Sequence, residues 1–584
     1  MSLLVVVLFA AVCLTVAYFT YGRLLSRLLK LDPEVKTPAV ALRDDIDYAP
    51  IEPKFLLSQH FSAIAAAGPI VGPILAGVMF GWLPALIWIL VGSIFIGGVH
   101  DMAALTASIR HRARSIAEVV RDHMSQRSYL LFLAFVWIAL VYIIVAFTDV
   151  TAGSFVGRVS AENGGIGGGA IASSSLLYLV LPIIMGLLLR YTRLSLGVAT
   201  LIFLPLVGVA IWVGQFIPFD VASLAGVDEG HARKMWDVAL LVYCLGAAVV
   251  PVWLLLQPRG HLGGYFLYIA LGAGALGLVL GGKEIKYPAF TGSGPMDMLS
   301  GKTPLLPFLF ITIACGACSG FHSMIASGTT SKQLRRETDA RVIGYGAMLL
   351  EAMVAIVSLC CVMMFAKDAP ELEGVKANVI YAHGIGSFLE VLGISKALGM
   401  SFALMAFTTF VYDTLDVCTR LGRYILQELT GWRGPFGRAA VTALTAGVPL
   451  FFLLRHPTDA AVPVWMMFWN LFGASNQLLA ALTLLGVTVW LWRTRRAVWV
   501  WFVIGIPMVF MYTMSIWALL SLTLPHFFAD GAWALPHDPV PWVGLVLMCL
   551  AGLMLVEAVR VIFLGDTRRP PKPEPEPSPA MATA

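Results

Sequence analysis

Charged residues are scarce in this sequence. Lysine, arginine, aspartate and glutamate together make up 12% of the 584 residues, whereas 59% are hydrophobic. Soluble domains carry about 25% charged residues, so the composition excludes a chain built only from water-soluble domains. A hydrocarbon environment explains the deficit, because a charge buried in lipid is costly unless it has a partner. The composition therefore predicts an integral membrane protein that lies in a lipid bilayer.

The sequence also lacks the motifs of several other protein classes. Its eight cysteines are scattered, mostly within apolar runs, which suits small core residues and not a disulfide framework. The Gly-x-x-x-x-Gly-Lys-Ser/Thr phosphate loop is missing, so ATP-driven pumping has no support. We find no grouping of nucleophile, histidine and acid that points to an intramembrane hydrolase. The sequence therefore favours a protein that is not an enzyme.

Long apolar runs recur along the whole chain. A transmembrane helix needs roughly 20 apolar residues, and this criterion gives about fifteen spans. No basic residue precedes the first run, as one would in a cleavable signal peptide, so we expect that run to be retained. The predicted spans are 3–20, 57–80, 83–103, 129–149, 174–189, 196–217, 237–256, 264–281, 304–325, 342–366, 397–418, 439–454, 462–491, 498–520 and 541–563.

The distribution of basic residues tests this map independently. Cytoplasmic loops of membrane proteins carry an excess of Lys and Arg. With the N-terminus outside and the spans alternating, most of the 39 Lys and Arg residues fall on cytoplasmic segments. We therefore predict that the N-terminus is outside and the C-terminus is cytoplasmic. The net charge of +5 reflects this distribution and gives no reason to expect nucleic-acid binding.

Two segments do not fit the pattern of a span. Residues 378–395 are too short and too mixed, which predicts a re-entrant or surface helix on the outer side. Residues 569–584 are rich in proline and poor in apolar side chains, which predicts a disordered, partly polyproline tail.

Two spans contain sequence that a lipid-facing helix avoids. The second span holds two Gly-Pro pairs between Gly68 and Pro73, and each proline removes an amide donor and favours a break. The ninth span holds Gly316-Ala-Cys-Ser-Gly320, which also lies near the middle of its span. Broken backbone at membrane depth is tolerated where protein or a water-filled cavity satisfies the freed groups. Packed helices with simple kinks are the alternative explanation.

Two broken helices of opposite direction are typical of transporters with inverted repeats. The sequence thus predicts an all-α polytopic membrane protein with a 5+5 inverted repeat and two discontinuous helices. The repeats would be residues 57–217 and 304–496, separated by an inserted helix pair at 218–303. The remaining predicted segments are an N-terminal span and loop (1–56), peripheral C-terminal spans (497–568) and the tail (569–584).

The eleventh span carries two carboxylates. Asp413 and Asp416 are three residues apart, so they share a helix face with Thr409 and Arg420. An intramembrane carboxylate is a candidate site for a proton or cation, and the oxygens of Thr408 and Thr409 suit sodium. A structural Asp–Arg pair near the cytoplasmic boundary is the alternative for both carboxylates.

Other polar residues in the spans admit structural explanations. Asn470, Ser475, Asn476 and Gln477 in span 13 fit either contacts between helices or a lining of the pathway. The acids Asp149 and Glu351 fit structural pairs, and His100-Asp101 fits an interfacial ion pair. Cys315, Cys318 and His322 have the spacing of metal ligands. A tetrahedral site needs a fourth ligand, and none is obvious nearby, so we predict no metal.

Five of these segments together resemble the carbon starvation protein A family. The resemblance covers about residues 20 to 495, and its motifs are long. The matching segments are 60–73 (HFSAIAAAGPIVGP), 316–332 (GACSGFHSMIASGTTSK), 342–351 (VIGYGAMLLE), 408–423 (TTFVYDTLDVCTRLGR) and 472–481 (FGASNQLLAA). The resemblance implies uptake of peptides or pyruvate across the bacterial inner membrane during carbon starvation, with proton coupling. It also implies membership of the amino acid–polyamine–organocation superfamily, whose 5+5 repeat agrees with the counted spans.

The leading hypothesis is a proton- or sodium-coupled importer of a small carboxylate, pyruvate or a short peptide. The substrate carboxylate would lie against the N-termini of half-helices, where free amides and the helix dipole favour anions. The candidate substrate residues are His60, Gly68, Pro69, Gly72, Gly316, Ser319, Gly320, His322 and Asn476, and the candidate ion-coupling residues are Thr408, Thr409, Asp413 and Asp416. A membrane-embedded nutrient sensor on a transporter scaffold is the alternative function. No cofactor other than the coupling ion is expected.

Overall fold

Helices account for nearly all of the regular structure. The computed structural model describes residues 2–44, 48–159, 166–251, 253–291, 304–432, 434–458, 463–529, 532–533, 535–536 and 539–563. Within these residues, strands occur only in two short antiparallel hairpins. The hairpins are β1 (Arg158–Val159) with β2 (Ile166–Gly167), and β3 (Phe528–Ala529) with β4 (Ala532–Trp533). The all-α prediction is confirmed, and the predicted tail 569–584 lies outside the described residues.

The N-terminal part of the chain contains short helices interrupted at several points. A π-helical turn at Ser93–Gly97 joins the sixth and seventh helices, so the two form one long span. The first eight helices are α1 (Leu3–Phe19), α2 (Tyr21–Leu29), α3 (Pro38–Ala41), α4 (Pro53–Ile64), α5 (Gly68–Phe80), α6 (Trp82–Gly92), α7 (Gly98–Arg110) and α8 (Ile116–His123).

The middle of the chain consists mainly of long uninterrupted helices. They are α9 (Gln126–Ser154), α10 (Gly168–Tyr191), α11 (Leu196–Gly214), the short α12 (Val221–Ala225), α13 (Glu229–Val249) and α14 (Leu256–Gly281).

The C-terminal part begins with a pair of eight-residue helices and ends with long ones. They are α15 (Leu305–Thr312), α16 (Phe321–Gly328), α17 (Ala347–Met363), α18 (Ala377–Glu390), α19 (Lys396–Thr430), α20 (Pro435–Arg455), α21 (Val464–Arg495), α22 (Ile506–Phe527) and α23 (Pro539–Phe563).

Twelve helices in the described part of the chain are long and apolar enough to cross a membrane, or thirteen if the bent pair α4–α5 is one span. The two other predicted spans, 237–256 and 304–325, correspond to α13 and to the pair α15–α16. Helix α13 carries charged residues in its first half, and α15 and α16 are each too short alone. The multi-pass membrane fold is shown, whereas the count of fifteen, the inverted repeat and the domain boundaries stay predictions.

The first predicted break is present but lies slightly earlier in the chain. Helices α4 and α5 meet at 48° across Ala65–Ala67, and Gly68–Pro73 already belongs to α5. Proline is well suited to the first turn of a helix, where its missing N–H would have no partner. Pro69 therefore starts the second half-helix and does not lie in the gap.

The second break occupies residues 313–320, between α15 and α16, as the sequence predicts. The two breaks face each other. A Cβ atom added to Gly68 would lie 2.3 Å from the Cβ of Cys315, and one added to Gly72 would lie 2.5 Å from the carbonyl oxygen of Thr312. Glycine is required at such close approaches between backbones, so Gly68 and Gly72 bring the two broken spans together.

Helix α18 covers most of residues 378–395. The sequence allows a re-entrant or a surface helix, but most of the α18 side chains are buried. They pack against α5, α14, α17 and α19. The apolar side chains of this short segment are therefore covered by four neighbouring helices, and its place on the outer side of the membrane stays a prediction.

Helix α19 runs for 35 residues through the centre of the bundle. The hydroxyl of Ser395 caps its first turn, and the helix ends at Gly431, whose φ of +75° suits a left-handed C-terminal residue. Its side chains from Ala403 to Arg423 are all buried. The helix therefore holds its two carboxylates, Asp413 and Asp416, inside the protein, with no face towards lipid.

Candidate functional site

Two glycines bring α14 against α4. A Cβ atom on Gly263 would lie 2.6 Å from Oδ2 of Asp413 and from Oγ of Ser62, and one on Gly264 would lie 2.1 Å from the carbonyl oxygen of Ser58. Any side chain at these positions would push the helices apart. The close approach lets the first turn of α14 reach the carboxylates of α19.

Arg259, in the first turn of α14, lies between the two carboxylates. Its side chain is completely buried. Its Nε lies 2.8 Å from Oδ1 of Asp413, and its Nη1 contacts Oδ2 of Asp416. One guanidinium therefore serves two carboxylates, and we call Arg259, Asp413 and Asp416 the arginine cluster.

Hydroxyl groups complete the arginine cluster. Ser62 donates a hydrogen bond of 2.6 Å to Oδ2 of Asp413, and Tyr243 donates one of 2.8 Å to Oδ2 of Asp416. Such hydrogen bonds offset part of the cost of burying ions. Within the described residues, Nη2 of Arg259 and Oδ1 of Asp416 make no hydrogen bond. The cluster thus retains an unused donor and an unused acceptor in a buried place.

The sequence suggests that Arg420 pairs with the carboxylates of α19, and this suggestion is wrong. Arg420 shares a helix face with Asp416, but its Nη2 donates to the carbonyl oxygens of Ala247 and Val250. These carbonyls lie at the C-terminal end of α13, where a cation is favoured by the helix dipole. The carboxylates pair with Arg259 on another helix instead.

The two threonines predicted to bind an ion have different surroundings. The hydroxyl of Thr408 lies 3.0 Å from that of Ser175 and donates to the carbonyl oxygen of Met405. The hydroxyl of Thr409 makes no hydrogen bond within the described residues, although it is buried. An ion-binding role for Thr408 and Thr409 stays a prediction.

A small cavity lies beside the arginine cluster. Its volume is about 40 Å³, enough for a few water molecules and too small for an organic substrate. Asp413 and His60 line it, with side chains from α4, α14, α16 and α19. Nδ1 of His60 lies 2.8 Å from the hydroxyl of Thr330, and its Nε2 makes no hydrogen bond within the described residues. The cavity therefore lies between the first broken span and the second.

A larger vestibule of about 510 Å³ adjoins the cavity. Thr329 and Gln333 line both spaces. Three basic side chains, those of Arg114, Lys332 and Arg420, line the vestibule together with two acidic ones, those of Glu118 and Glu428. The vestibule and the cavity therefore meet at Thr329 and Gln333.

A second buried ionic group lies around His322, on α16. Nδ1 of His322 lies 2.8 Å from Oδ2 of Asp101, and Nε2 lies 3.2 Å from Oε2 of Glu351. His100 places its Nδ1 2.7 Å from the other oxygen of Asp101. All four side chains are fully buried. We call Asp101, His322 and Glu351 the histidine cluster. Glu351 thus has a partner, as the sequence allows, and the contact between His100 and Asp101 is fully buried.

Asn476 satisfies the backbone of the second break. Its Oδ1 accepts a hydrogen bond of 3.0 Å from the Phe321 amide, and its own carbonyl accepts one of 3.1 Å from the Gly320 amide. Its Nδ2 donates to Oγ of Ser319 at 3.0 Å and contacts Sγ of Cys315 at 3.4 Å. The side chain of Asn476 is thus engaged by the protein itself, as is that of Ser319.

The glycines predicted to bind substrate lie at contacts between helices. Gly68 and Gly72 face the second broken span, as described above. A Cβ atom on Gly316 would lie 2.7 Å from the Cβ of Ala355, and one on Gly320 would lie 2.3 Å from the amide nitrogen of Ala480. Pro69 lies close to Gly316. Close packing accounts for these positions, and their role in substrate binding stays a prediction.

The remaining polar residues have structural contacts. Asp149 pairs with Arg233 at 2.7 Å and accepts a hydrogen bond from the amide of Trp465, at the start of α21. Gln477 donates to the carbonyl oxygen of Phe310. Within the described residues, no group of three or more His, Cys, Asp or Glu side chains is placed to hold a metal ion.

Arg259 is the main residue that the sequence did not reveal. It stands in Gln-Pro-Arg-Gly-His, which falls between the predicted spans 237–256 and 264–281, and so counts there as a cytoplasmic loop residue. The available signal was the pair Gly263-Gly264 just after it, since adjacent glycines in an apolar run mark a close helix contact. The pairing itself spans 157 residues of sequence and leaves no local trace.

Comparison with known proteins identifies the family of this chain. The family model described as carbon starvation protein CstA matches residues 2–376 and 372–518. A peptide transporter CstA from Helicobacter pylori (strain J99) is 31% identical over 571 residues, covering 83% of this chain and 77% of the relative. The pyruvate/proton symporter BtsT of Escherichia coli (strain K12) is 33% identical over 589 residues, covering 86% of this chain and 79% of the relative.

Two further matches complete the comparison. A peptide transporter CstA from Bacillus subtilis (strain 168) is 33% identical over 550 residues, covering 83% of this chain and 85% of the relative. Among solved structures, a manganese transporter from Eremococcus coleocola matches with a TM-score of 0.49 and 13% identity, covering 89% of this chain and 98% of that one. On the family model and the named relatives, this chain belongs to the CstA family of carbon starvation proteins and is a multi-pass membrane transporter.

Proposed function

We propose that this chain is a secondary active transporter that imports pyruvate or short peptides together with protons. Two of the relatives are a peptide transporter and a pyruvate/proton symporter. Pyruvate and peptides both carry a carboxylate, so one anion-binding group serves either. We propose the bacterial inner membrane as its location, with the N-terminus outside and the basic vestibule on the cytoplasmic side.

The position of the small cavity carries this proposal. It lies where the two broken spans meet, and its wall combines a buried carboxylate, Asp413, with a histidine, His60. Broken helices that converge on a buried site are the usual architecture of alternating-access transporters. The vestibule adjoins this cavity, and we propose that it is the cytoplasmic approach to the substrate site.

Arg259 is the group that we propose to receive the substrate carboxylate. Its Nη2 is a buried donor without a hydrogen bond in the described residues, whereas its Nε and Nη1 contact Asp413, Asp416 and the hydroxyl of Tyr243. A guanidinium recognises a carboxylate through two parallel hydrogen bonds. Widening of the cavity next to Asp413 would let a substrate reach this donor.

Asp413 is the group that we propose to take the coupling proton beside the substrate. While ionised, it competes with a substrate carboxylate for Arg259. A proton on Asp413 removes that competition, so substrate and proton would bind together, which is the condition for symport. His60 faces the same cavity and offers a route for the proton from the water in it.

Transport by the purified protein in proteoliposomes tests the proposal. Labelled pyruvate and labelled dipeptides would be supplied separately, under an inward proton gradient or an inward sodium gradient. We expect one of the two substrates to accumulate under the proton gradient, and a protonophore to abolish the accumulation. Protein-free liposomes control for passive entry of the weak acid.

Two other results would reject parts of the proposal. Accumulation driven by sodium alone would show that sodium, and not the proton, is the coupling ion. Thr408 and Thr409 would then be the candidate coupling residues. No transport of either substrate under any gradient, by protein that binds one of them, would favour the nutrient-sensor alternative.

A further inference from the structure

His322 has a carboxylate on each ring nitrogen. Asp101 lies 2.8 Å from Nδ1, and Glu351 lies 3.2 Å from Nε2. The three residues come from α7, α16 and α17, and all three are fully buried. A neutral imidazole has one N–H donor and one acceptor, so neutral histidine cannot donate to both carboxylates. The group therefore needs one more proton than a neutral histidine with two ionised acids.

That extra proton completes an imidazolium that donates to both acids, or it lies on one of the acids, which then donates to the imidazole. Of the two acids, Glu351 is the better placed to carry it, because Asp101 also contacts His100. Without it, the lone pair of Nε2 faces an ionised Glu351, and the contact becomes repulsive. The approach of His322 to Glu351 is thus a contact that exists only while this proton is bound.

Of the two acids, Glu351 is the one that depends on this proton. Neither of its oxygens makes a well-formed hydrogen bond within the described residues. Asp101, in contrast, accepts from His322 and also from His100. A buried ionised carboxylate without hydrogen bonds is strongly disfavoured. Glu351 therefore holds a proton when the site is closed, or releases it only when water enters.

Within the described residues, the other groups around the histidine cluster include no cation that could take the place of this proton between His322 and Glu351. His60, on α4, interacts electrostatically with Asp101 and His322 and also faces the water-sized cavity. The thiols of Cys315 and Cys318, in the second break, lie within the field of Glu351 and Asp101. Helices α21 and α8 face α16 with uncharged groups, the hydroxyl of Thr483 and the amide of Ile116.

His322 lies on a half-helix that also lines the cavity, so binding of the proton can affect the cavity wall. Helix α16 is the second half of a broken span, and it packs against α4, α7 and α21. Ile325 of α16 lines the cavity beside Asp413. The contact of His322 with Glu351 ties this half-helix to α17 as well. A change in that contact is therefore transmitted to the wall of the cavity.

We infer that His322 and Glu351 form a proton-binding site that holds α16 against α17 while the proton is bound. The site is separate from Asp413. Its consequence for transport rests on the proposed function: release of this proton frees the half-helix that lines the cavity. The existence of the site does not rest on transport.

Infrared difference spectroscopy of the reconstituted protein tests the site directly. Spectra of the unmodified protein at low and high pH should differ by the C=O band of a buried carboxylic acid. Glu351→Gln should remove that band, and His322→Gln, which keeps a polar side chain but has no titratable proton, should shift the pH at which the band titrates. Glu337→Gln is the matched control, because Glu337 is equally buried but pairs with Arg110, which keeps its proton.

The outcomes separate this inference from the proposed function. Loss of the band in Glu351→Gln with retention in Glu337→Gln supports the site, whether or not the protein transports pyruvate. An unchanged difference spectrum in Glu351→Gln would overturn it. If Glu351→Gln does not yield monodisperse protein, an unshifted band in His322→Gln would overturn it instead. In transport, Glu351→Gln should lose proton-driven accumulation and keep exchange of bound substrate.

Discussion

The arginine cluster and the histidine cluster are both buried groups with two carboxylates around one cationic side chain. They differ in what that side chain does with its proton. Arginine stays protonated in proteins, so Arg259 is a fixed positive charge between Asp413 and Asp416. Histidine changes its charge near neutral pH, so the charge of His322 between Asp101 and Glu351 is variable.

This difference assigns different tasks to the two clusters. A proton that arrives at the arginine cluster can only go to a carboxylate, and it then frees a guanidinium that is suited to an anion. A proton at the histidine cluster changes a contact between two helices. The first cluster is therefore suited to substrate recognition, and the second to movement of α16.

The largest expected effect comes from removing the fixed charge. Arg259→Met leaves Asp413 and Asp416 buried without their cation, and breaking a buried ion pair from one side costs about 3–5 kcal/mol. We expect poorly folded protein with a strongly lowered thermal unfolding temperature in detergent. Addition of Asp413→Asn and Asp416→Asn should restore much of the loss. Unfolding of Arg259→Met at the temperature of the unmodified protein would show that Arg259 does not compensate these carboxylates.

The next largest effect is expected for transport. Asp413→Asn keeps the shape and most of the hydrogen bonding of the carboxylate but cannot release a proton. Gradient-driven accumulation in proteoliposomes should be abolished, whereas exchange of labelled for unlabelled substrate should persist. Normal accumulation by this variant would move the coupling proton to Asp416 or Glu351. Loss of monodisperse protein would support a purely structural role for the pair.

Local chemistry explains which features of the site could be predicted from the sequence. The breaks follow from Gly68-Pro69 and Gly316–Gly320, because proline and glycine act on their own backbone. Asp413 stands out because a carboxylate in an apolar run is rare. These signals are contained within a few residues each.

The pairings within the clusters could not be predicted, because they depend on how distant helices pack. Asp101 and His322 are 221 residues apart, and Arg259 and Asp416 are 157 apart. Arg420 shows the limit most clearly: it lies one turn from Asp416 on the same face, yet its guanidinium binds carbonyl groups of the α13 end. Sequence spacing favoured the local partner, whereas packing of α14 supplied a closer one.

A smaller effect is expected at the break that adjoins the histidine cluster. Asn476→Ala leaves the buried amide of Phe321 without its partner, and such a loss costs about 1–3 kcal/mol. The thermal unfolding temperature should fall accordingly. The same measurement on Gly272→Ala, where an added Cβ meets nothing within 4 Å, provides the control. Equal stability of Asn476→Ala and Gly272→Ala would contradict a role for Asn476 in holding the break.

The smallest effect should come from a buried histidine without a carboxylate. His123, in the short helix α8 outside the spans, has Nε2 2.8 Å from Nε2 of His111. Burial, together with the positive charges of His111 and Arg493, lowers the pKa of His123 to about 3. In the unfolded chain His123 takes up a proton below about pH 6.5. In the folded protein it stays neutral until about pH 3. Stability should therefore fall as the pH is lowered through this range.

His123→Gln should flatten this part of the stability profile. One proton contributes at most about 1.4 kcal/mol per pH unit, so unfolding of the unmodified protein and the variant would be compared at pH 7 and pH 5. An identical loss of stability in both proteins would show that His123 is protonated in the folded state.

Proton entry during substrate uptake tests the central claim most directly. Proteoliposomes without an imposed gradient, loaded with a pH-sensitive dye, would receive pyruvate or a dipeptide from outside. The proposed symport predicts internal acidification in step with uptake, beyond that of protein-free liposomes and lost in Asp413→Asn. Substrate uptake by the protein without any change in internal pH would contradict it.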